Sequence, residues 1–220
     1  MSGPERRVES RDRTRANLRI AASSLVAGAL VAIAAVWIDR PLATACRNAQ
    51  LSKSAALQFA TEAGEGMWWF IAGGLVFAVA ALRKRHNLAR WAFALVAAQA
   101  AAGIAVNLLK LAIGRSRPKL FLEQGIFTVE PFTYGYDYNS FPSGHATTCA
   151  AGAMVLALAI PRWRWPILLA GAALALTRVA IHAHYLGDVI AGLALGGAMA
   201  LATLRVWRAR WPASLPVPTR

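Results

Sequence analysis

The sequence predicts an all-α fold, an integral membrane bundle of six transmembrane helices. Composition is the first reason: 57% of the 220 residues are hydrophobic and only 15% are charged, against about 25% in a soluble domain. Mean hydropathy is +0.44. Charge placement is the second. A net charge of +14 by itself also suits a nucleic-acid partner. Here the basic residues fall between long apolar runs, which is a membrane-orientation pattern. No nucleic-acid partner is therefore expected.

Residues 1–19 read as a cytoplasmic basic tail, with Arg6, Arg7, Arg11, Arg13, Arg15 and Arg19. Ile20 to Ile38 is an apolar run long enough to cross, since a span needs about 20 residues. A signal peptide competes for this stretch. The run is long for an h-region, however, and Asp39-Arg40-Pro41 is not a small-residue cleavage site. Asp39 to Gly66 is mixed and partly amphipathic, fitting a helix on the membrane surface. Met67 to Leu82 is the second span, with Trp68 and Trp69 as interface anchors. A basic loop follows, and its His86 reads as solvated.

Trp91 to Ile113 is the third span. Lys119 to Phe141 reads as a long loop holding Tyr134, Tyr136 and Tyr138, which suit either a substrate entrance or an aromatic belt. Gly144 to Ile160 is the fourth span, ended by Pro161-Arg162-Trp163-Arg164. Trp165 to about Arg178 is the fifth. Tyr185 to Val206 is the sixth, and its Gly192 and Gly196 suit close helix contact. The bundle thus occupies residues 20–206, with a second cytoplasmic tail over 207–220. Cys46 and Cys149 match no metal spacing and read as free thiols unless the fold joins them.

Six crossings put both termini on one side. The two tails, the segment Arg83 to Arg90, and Arg162 with Arg164 all fall on that side, which the positive-inside rule makes cytoplasmic. The expected location is the inner (plasma) membrane. Three polar islands then land together on the opposite, outward side. They are Lys110 with Arg115, Arg117 and Pro118; Phe141-Pro142-Ser143-Gly144-His145; and Arg178 with His184 and Asp188. Charged groups at membrane depth are costly and usually face a partner or cavity. Singly, Lys110 suits a snorkelling lysine and Arg117 an interfacial arginine. Jointly they point to a site.

Lys110, Arg117 and Arg178 supply cationic donors for phosphate oxygens. Ser143 and Gly144 open a helix whose N-terminal N–H groups suit an anion. His184 and Asp188 are four apart and share a helical face. The carboxylate is expected to hold one imidazole nitrogen and so make the other a nucleophile. His145, from another helix, is placed to protonate a leaving oxygen and then activate water. His182 and Arg115 lie outside this set. No carboxylate cluster suggests a metal, and no cofactor is expected.

The pattern resembles the type 2 phosphatidic acid phosphatase family, whose site is similar to those of vanadium haloperoxidases and glucose-6-phosphatase. The family pattern is K-x6-R-P, P-S-G-H and S-R-x5-H-x3-D. Here Lys110 is followed by six residues and then Arg117-Pro118, and Pro142-Ser143-Gly144-His145 matches unchanged. Thr177-Arg178, His184 and Asp188 complete the third part, with Thr177 in place of serine. The resemblance implies His184 as nucleophile, His145 as acid and base, and Asp188 as its support. It implies Lys110, Arg117, Ser143, Gly144 and Arg178 as phosphate binders. The expected reaction is metal-independent hydrolysis of a lipid phosphate or diphosphate in the bilayer through a phosphohistidine. Phosphotransfer between lipids and non-enzymatic anionic-lipid transport are the alternatives. Glu62-Ala63-Gly64-Glu65-Gly66 also looks similar to a segment many relatives carry, with no catalytic role attached.

Overall fold

A computed structural model describes residues 21–210 together with Leu18. The rest of the expected basic tail, and the chain beyond Arg210, lie outside the described residues. Eight α-helices and no named strand occur among them.

Helix α1 (Ala21–Asn48) is apolar and lies almost wholly on the outside of the bundle. It does not end at Ile38 as the hydropathy suggests. A π-helical turn at Ala34–Ile38 continues into Asp39–Asn48. A π turn adds a residue to the helical register and re-aims the face that follows. Asp39 thereby points inward and is 1% exposed. Helices α2 (Ala55–Ala63) and α3 (Gly66–Leu82) meet at a 47° bend. Ser54 caps α2 by accepting from the Leu57 N–H.

Helix α4 (His86–Ile113) ends at Gly114, whose φ is +63°. A Cβ there would lie 1.7 Å from the Glu130 carbonyl oxygen, so the position requires glycine. That turn sends Arg115 and Arg117 back over the bundle. The expected loop after it contains a helix, α5 (Pro118–Gln124). Pro118 at its first turn and left-handed Gly125 at its end make it locally self-contained. A single bridge pairs Arg115 with Val129. Helices α6 (Gly144–Ala159), α7 (Arg164–Ala180) and α8 (Leu186–Arg210) complete the bundle.

Helix α6 is central and packs on α3, α4, α7 and α8. Ala94, Leu95, Ala98 and Ala102 of α4 meet Ala151 and Val155 of α6 and Ala200 and Leu204 of α8. Such small residues let helix backbones approach closely where lipid removes the hydrophobic drive. Cys46 and Cys149 belong to one apolar cluster, yet both are free thiols.

By length and composition, α1, α4 and α8 suffice to cross a membrane, and the bent pair α2–α3 makes a fourth candidate. Helices α6 and α7, at 16 and 17 residues, fall short of the ~20 that a straight crossing takes. Six full-length crossings are thus not what the helix lengths display. Hydropathy alone reads α6 and α7 as spans, since a buried small-residue helix is as apolar as a lipid-facing one; their lengths leave that part of the count unconfirmed.

Candidate active site

The C-terminal ends of α4 and α7 and the N-terminal ends of α6 and α8 converge with the α2–α3 bend. They enclose a cleft of about 220 Å³ that contains Lys110, Arg117, Gly144, His145, Arg178 and His184. All six come from the three islands expected to bind phosphate or react, with Arg117 supplied by the turn after α4. Glu65, Gly66 and Thr148 complete the wall.

His184 sits in the turn between α7 and α8 and is 3% exposed. Its Nδ1 is 2.8 Å from the Ser140 carbonyl oxygen. A carbonyl only accepts, so Nδ1 carries the hydrogen and Nε2 keeps its lone pair. The expected direct hydrogen bond from His184 to Asp188 is absent: the carboxylate Oδ2 is 3.8 Å from Nδ1, beyond hydrogen-bond range. Burial pushes the His184 pKa down to about 4, with Asp188 acting in the opposite direction.

Asp188 is fully buried. Its Oδ1 receives Arg115 Nη1 at 2.6 Å. Its Oδ2 accepts the Ser140 hydroxyl at 2.5 Å and the Tyr185 N–H at 2.9 Å. The latter bond is the carboxylate half of a capping box at the start of α8. Asp188 thus reaches His184 through Ser140, whose hydroxyl binds the carboxylate while its carbonyl holds the imidazole. The Ser140 N–H in turn donates to the Arg115 carbonyl at 3.0 Å.

Arg115 was set outside the matched pattern, yet it holds the site together. Besides Asp188, its Nη2 reaches Asp39 Oδ2 at 2.8 Å. Asp39 Oδ1 accepts the Gly187 N–H at 2.9 Å. Burial works against the Arg115 charge, but Asp188 and Asp39 outweigh it and hold its pKa above the ordinary value. Its guanidinium also lies over Tyr185, 4.6 Å from the ring centroid. Asp39 had no sequence signal because hydropathy placed it at the edge of a span.

His145 leaves Nε2 buried without a hydrogen-bond partner. A Cβ on Gly64 would fall 2.5 Å from that nitrogen, so the α2–α3 bend presses directly on the imidazole. Arg178 likewise keeps a buried, unpartnered Nε. Arg117 is anchored by carbonyls of Tyr136 (2.8 Å), Ala183 (3.0 Å) and Asn139 (3.4 Å), which leaves two of its five donors unassigned. Tyr136 also stacks on it at 3.8 Å. The Lys110 Nζ lies 3.5 Å from the point where a Gly144 Cβ would be, beside the N-terminus of α6.

Ser143 differs from expectation. Its N–H donates to the Asp188 carbonyl at 3.0 Å. Its hydroxyl caps α6 by accepting from Ala146 N–H at 3.4 Å. Ser143 is fully buried and does not line the cleft, so the N–H groups that open onto it come from Gly144 onward. Thr177 keeps the hydroxyl of the usual serine and uses it structurally. It accepts from Thr61 at 2.8 Å and donates to Leu174 O at 2.6 Å, tying α7 to α2 beside Arg178.

Fold and site define an all-helical membrane protein with a cationic, two-histidine cleft at one end of its bundle. Residues 91–212, more than half of the chain, match the model of the PAP2 superfamily, and the chain belongs to that family. It is 47% identical over 105 residues to a lipid A 1-phosphatase of Rhizobium etli, covering 48% of this chain and 45% of the relative. It is 33% identical over 98 residues to an undecaprenyl-diphosphatase of Sulfolobus acidocaldarius, covering 44% and 46%. The matches span somewhat under half the length of these curated relatives. The crystal structure of Aquifex aeolicus LpxE superposes with a TM-score of 0.56 at 19% identity, covering 79% of this chain and 98% of that one. That likeness concerns the fold alone.

Proposed function

We propose that the protein hydrolyses a lipid phosphate or diphosphate through a phosphohistidine. One observation carries this: His184 Nδ1–H is tied to a carbonyl, which leaves Nε2 as a lone-pair donor, in a cleft shared with Lys110, Arg117, Arg178 and His145. The names of the curated relatives support a lipid-borne phosphate.

Lys110, Arg117, Arg178 and the N–H groups at the start of α6 hold the phosphoryl oxygens and stabilise their charge in an in-line displacement. The Nε2 lone pair forms an N–P bond as the P–O bond to the lipid breaks. His145 gives its proton to the departing oxygen. Water then attacks phosphorus, His145 takes the water proton, and the N–P bond breaks to release inorganic phosphate. Asp188 supports His184 through Ser140. No step calls on a metal.

Basic residues at the far end of the bundle, Arg83, Arg85, Arg162, Arg164, Arg208 and Arg210, support a cytoplasmic placement of that end. The site then faces the periplasm from the inner membrane, with both termini cytoplasmic. In this reading α6 and α7 complete six crossings, short because they run between the site and the basic rim. Candidate substrates are undecaprenyl diphosphate, phosphatidylglycerol phosphate, phosphatidic acid and lipid A 1-phosphate.

The test is phosphate release by purified protein in detergent over that panel, with and without a chelator. Release that persists with chelator and disappears in His184→Ala is expected. Full turnover by His184→Ala would overturn the nucleophile, and loss of turnover on chelation would overturn the metal-independent route. An added acceptor lipid separates hydrolysis from phosphotransfer by its products.

A further inference from the structure

The cleft is small for a lipid head group. Its roughly 220 Å³ falls below the ~300–1,000 Å³ typical of small-molecule sites. It suits the reacting phosphoryl group and little else. Arg117 and Arg178, however, also form the wall of a second hollow of about 670 Å³. That hollow adds Arg47, Lys53, Lys119 and His182, with Glu123 as its one carboxylate. Five permanent cations against one carboxylate make it strongly attractive to anions.

Three local features show how the hollow is built. Arg47, near the C-terminus of α1, donates from Nη1 to the Leu122 carbonyl of α5, which joins the two walls. Lys53 is steadied by Gln50 Oε1 at 3.2 Å. His182 lies at φ +61°, a left-handed conformation uncommon outside glycine. Its Nε2 is buried and has no hydrogen-bond partner. Strained backbone and an unsatisfied buried donor or acceptor are both costs that ligand sites tolerate.

We propose that this hollow is a second anion subsite, which takes a second phosphate group carried on the polar head of the substrate lipid. This rests on the phosphatase reading above and deepens it. Arg117 and Arg178 stand between the two groups, while Lys53, Lys119 and His182 engage only the second. The protein therefore favours lipids whose head bears two phosphates over those that bear one. The second phosphate is either adjacent, as in a lipid diphosphate, or remote, as in a glycolipid phosphorylated at both ends.

The test compares two matched lipid pairs with the full chain in detergent. One pair is an isoprenyl diphosphate and its monophosphate. The other is a bisphosphorylated disaccharide lipid and its single-phosphate form. The wild type is expected to show a KM about tenfold lower for the two-phosphate member of at least one pair, a gain of two charge-assisted contacts. The pair that shows it identifies the adjacent or the remote source. In Lys53→Ala/Lys119→Ala, and separately in His182→Gly, which suits the left-handed backbone, that advantage disappears while single-phosphate turnover is unchanged. Equal KM ratios in wild type and both variants overturn the subsite and leave the phosphatase reading standing. If no lipid is turned over, the phosphatase reading fails, and calorimetric titration with inorganic pyrophosphate decides the subsite. Weaker binding by the variants supports it, and equal binding overturns it.

Discussion

The His184 imidazole is held by the backbone of Ser140, at 2.8 Å from Nδ1 to the carbonyl oxygen, and the hydrogen-bonded link from the carboxylate of Asp188 to it runs through that residue. This relationship separates two effects that a direct His–Asp pair would merge. Ser140→Ala keeps the carbonyl and so keeps the tautomer, but removes the hydroxyl bond to Asp188. We expect turnover within about tenfold of wild type and a stability loss of about 1.5–3 kcal/mol, the cost of a hydrogen bond to a charged group. Phosphate release and thermal unfolding in detergent measure the two. Loss of turnover as complete as in His184→Ala would mean that the hydroxyl itself sets the imidazole.

Arg115 bridges Asp39 and Asp188 with both carboxylates buried. Removal of one partner from a buried ion network is severe because the other charges stay uncompensated. Arg115→Ala is expected to cost about 3–5 kcal/mol. Arg115→Lys keeps the charge but loses the fork, and should fall between. Asp39→Asn should cost less, since Asp188 still neutralises the guanidinium. Thermal stability should rank these Arg115→Ala lowest, then Arg115→Lys, then Asp39→Asn. A neutral Arg115→Ala would contradict the network.

Much of this site was legible as spacing. Lys110, Gly144, His145, Arg178 and His184 share one cleft because helix ends at one level bring together residues far apart in sequence. What stayed hidden depended on turns. Asp39 reads as the edge of a span, and only the π turn before it aims it inward. Ser140 looks like one more loop residue until the chain from Arg115 folds over it. The role of Ser143 was misread for the same reason: its N–H is taken by a carbonyl of α8, a tertiary contact that no local pattern encodes. The count of crossings is not fixed by helix length, because apolarity does not distinguish lipid from protein surroundings.

The depressed pKa of His184 has a definite pH consequence. Burial holds it at about 4, against 6.5 for the free side chain. Between those values the unfolded chain binds a proton that the folded chain does not. Stability therefore rises with pH across that window and is lost as pH falls toward 4; above 6.5 His184 contributes no slope. The nucleophile is likewise neutral well below pH 6.5, so the acid limb of kcat/KM attributable to His184 lies near 4. Unfolding of wild type and His184→Gln should diverge only below about pH 6.5. A wild-type acid limb at 6.5 or above that follows His184 would contradict this assignment.

Gly64 sets how close the α2–α3 bend comes to His145. An added Cβ would lie 2.5 Å from Nε2, 2.7 Å from Cε1 and 3.2 Å from the Cys149 sulfur. The imidazole must therefore move, since the sulfur side is also occupied. A misplacement near 1 Å at a reacting group costs on the order of 10²-fold in rate. Gly64→Ala is expected to lower kcat by that order with KM within about twofold, because the phosphate-binding cations are untouched. Gly74→Ala, further along α3, is the control. A Cβ there would meet nothing within 4 Å, so His145 stays in place. Kinetics of the two variants on one lipid substrate measure the contrast, and equal effects would mean that the bend does not position His145.

The contact between α6 and α8 brings His145 and Asp188 to one level. Helices α6 and α8 cross with backbone almost on backbone. A Cβ on Gly196 would fall 2.1 Å from the Thr147 carbonyl oxygen, and one on Gly192 would fall 2.5 Å from the Ser143 carbonyl oxygen. These are main-chain obstacles, which cannot swing aside as a side chain can. Either alanine must therefore force the helices apart, an overpacking cost of about 1–3 kcal/mol. Gly192 lies nearer the site, where separation also stretches the Ser143 N–H to Asp188 carbonyl bond, now 3.0 Å. Gly192→Ala is thus expected to lose both stability and most turnover. Gly197→Ala, on the same helix but with only the Met154 methyl group 3.6 Å away, should be near neutral in both. Thermal unfolding and phosphate release on the three variants test the order, and a fully active Gly192→Ala would show that the α6–α8 spacing does not set the site.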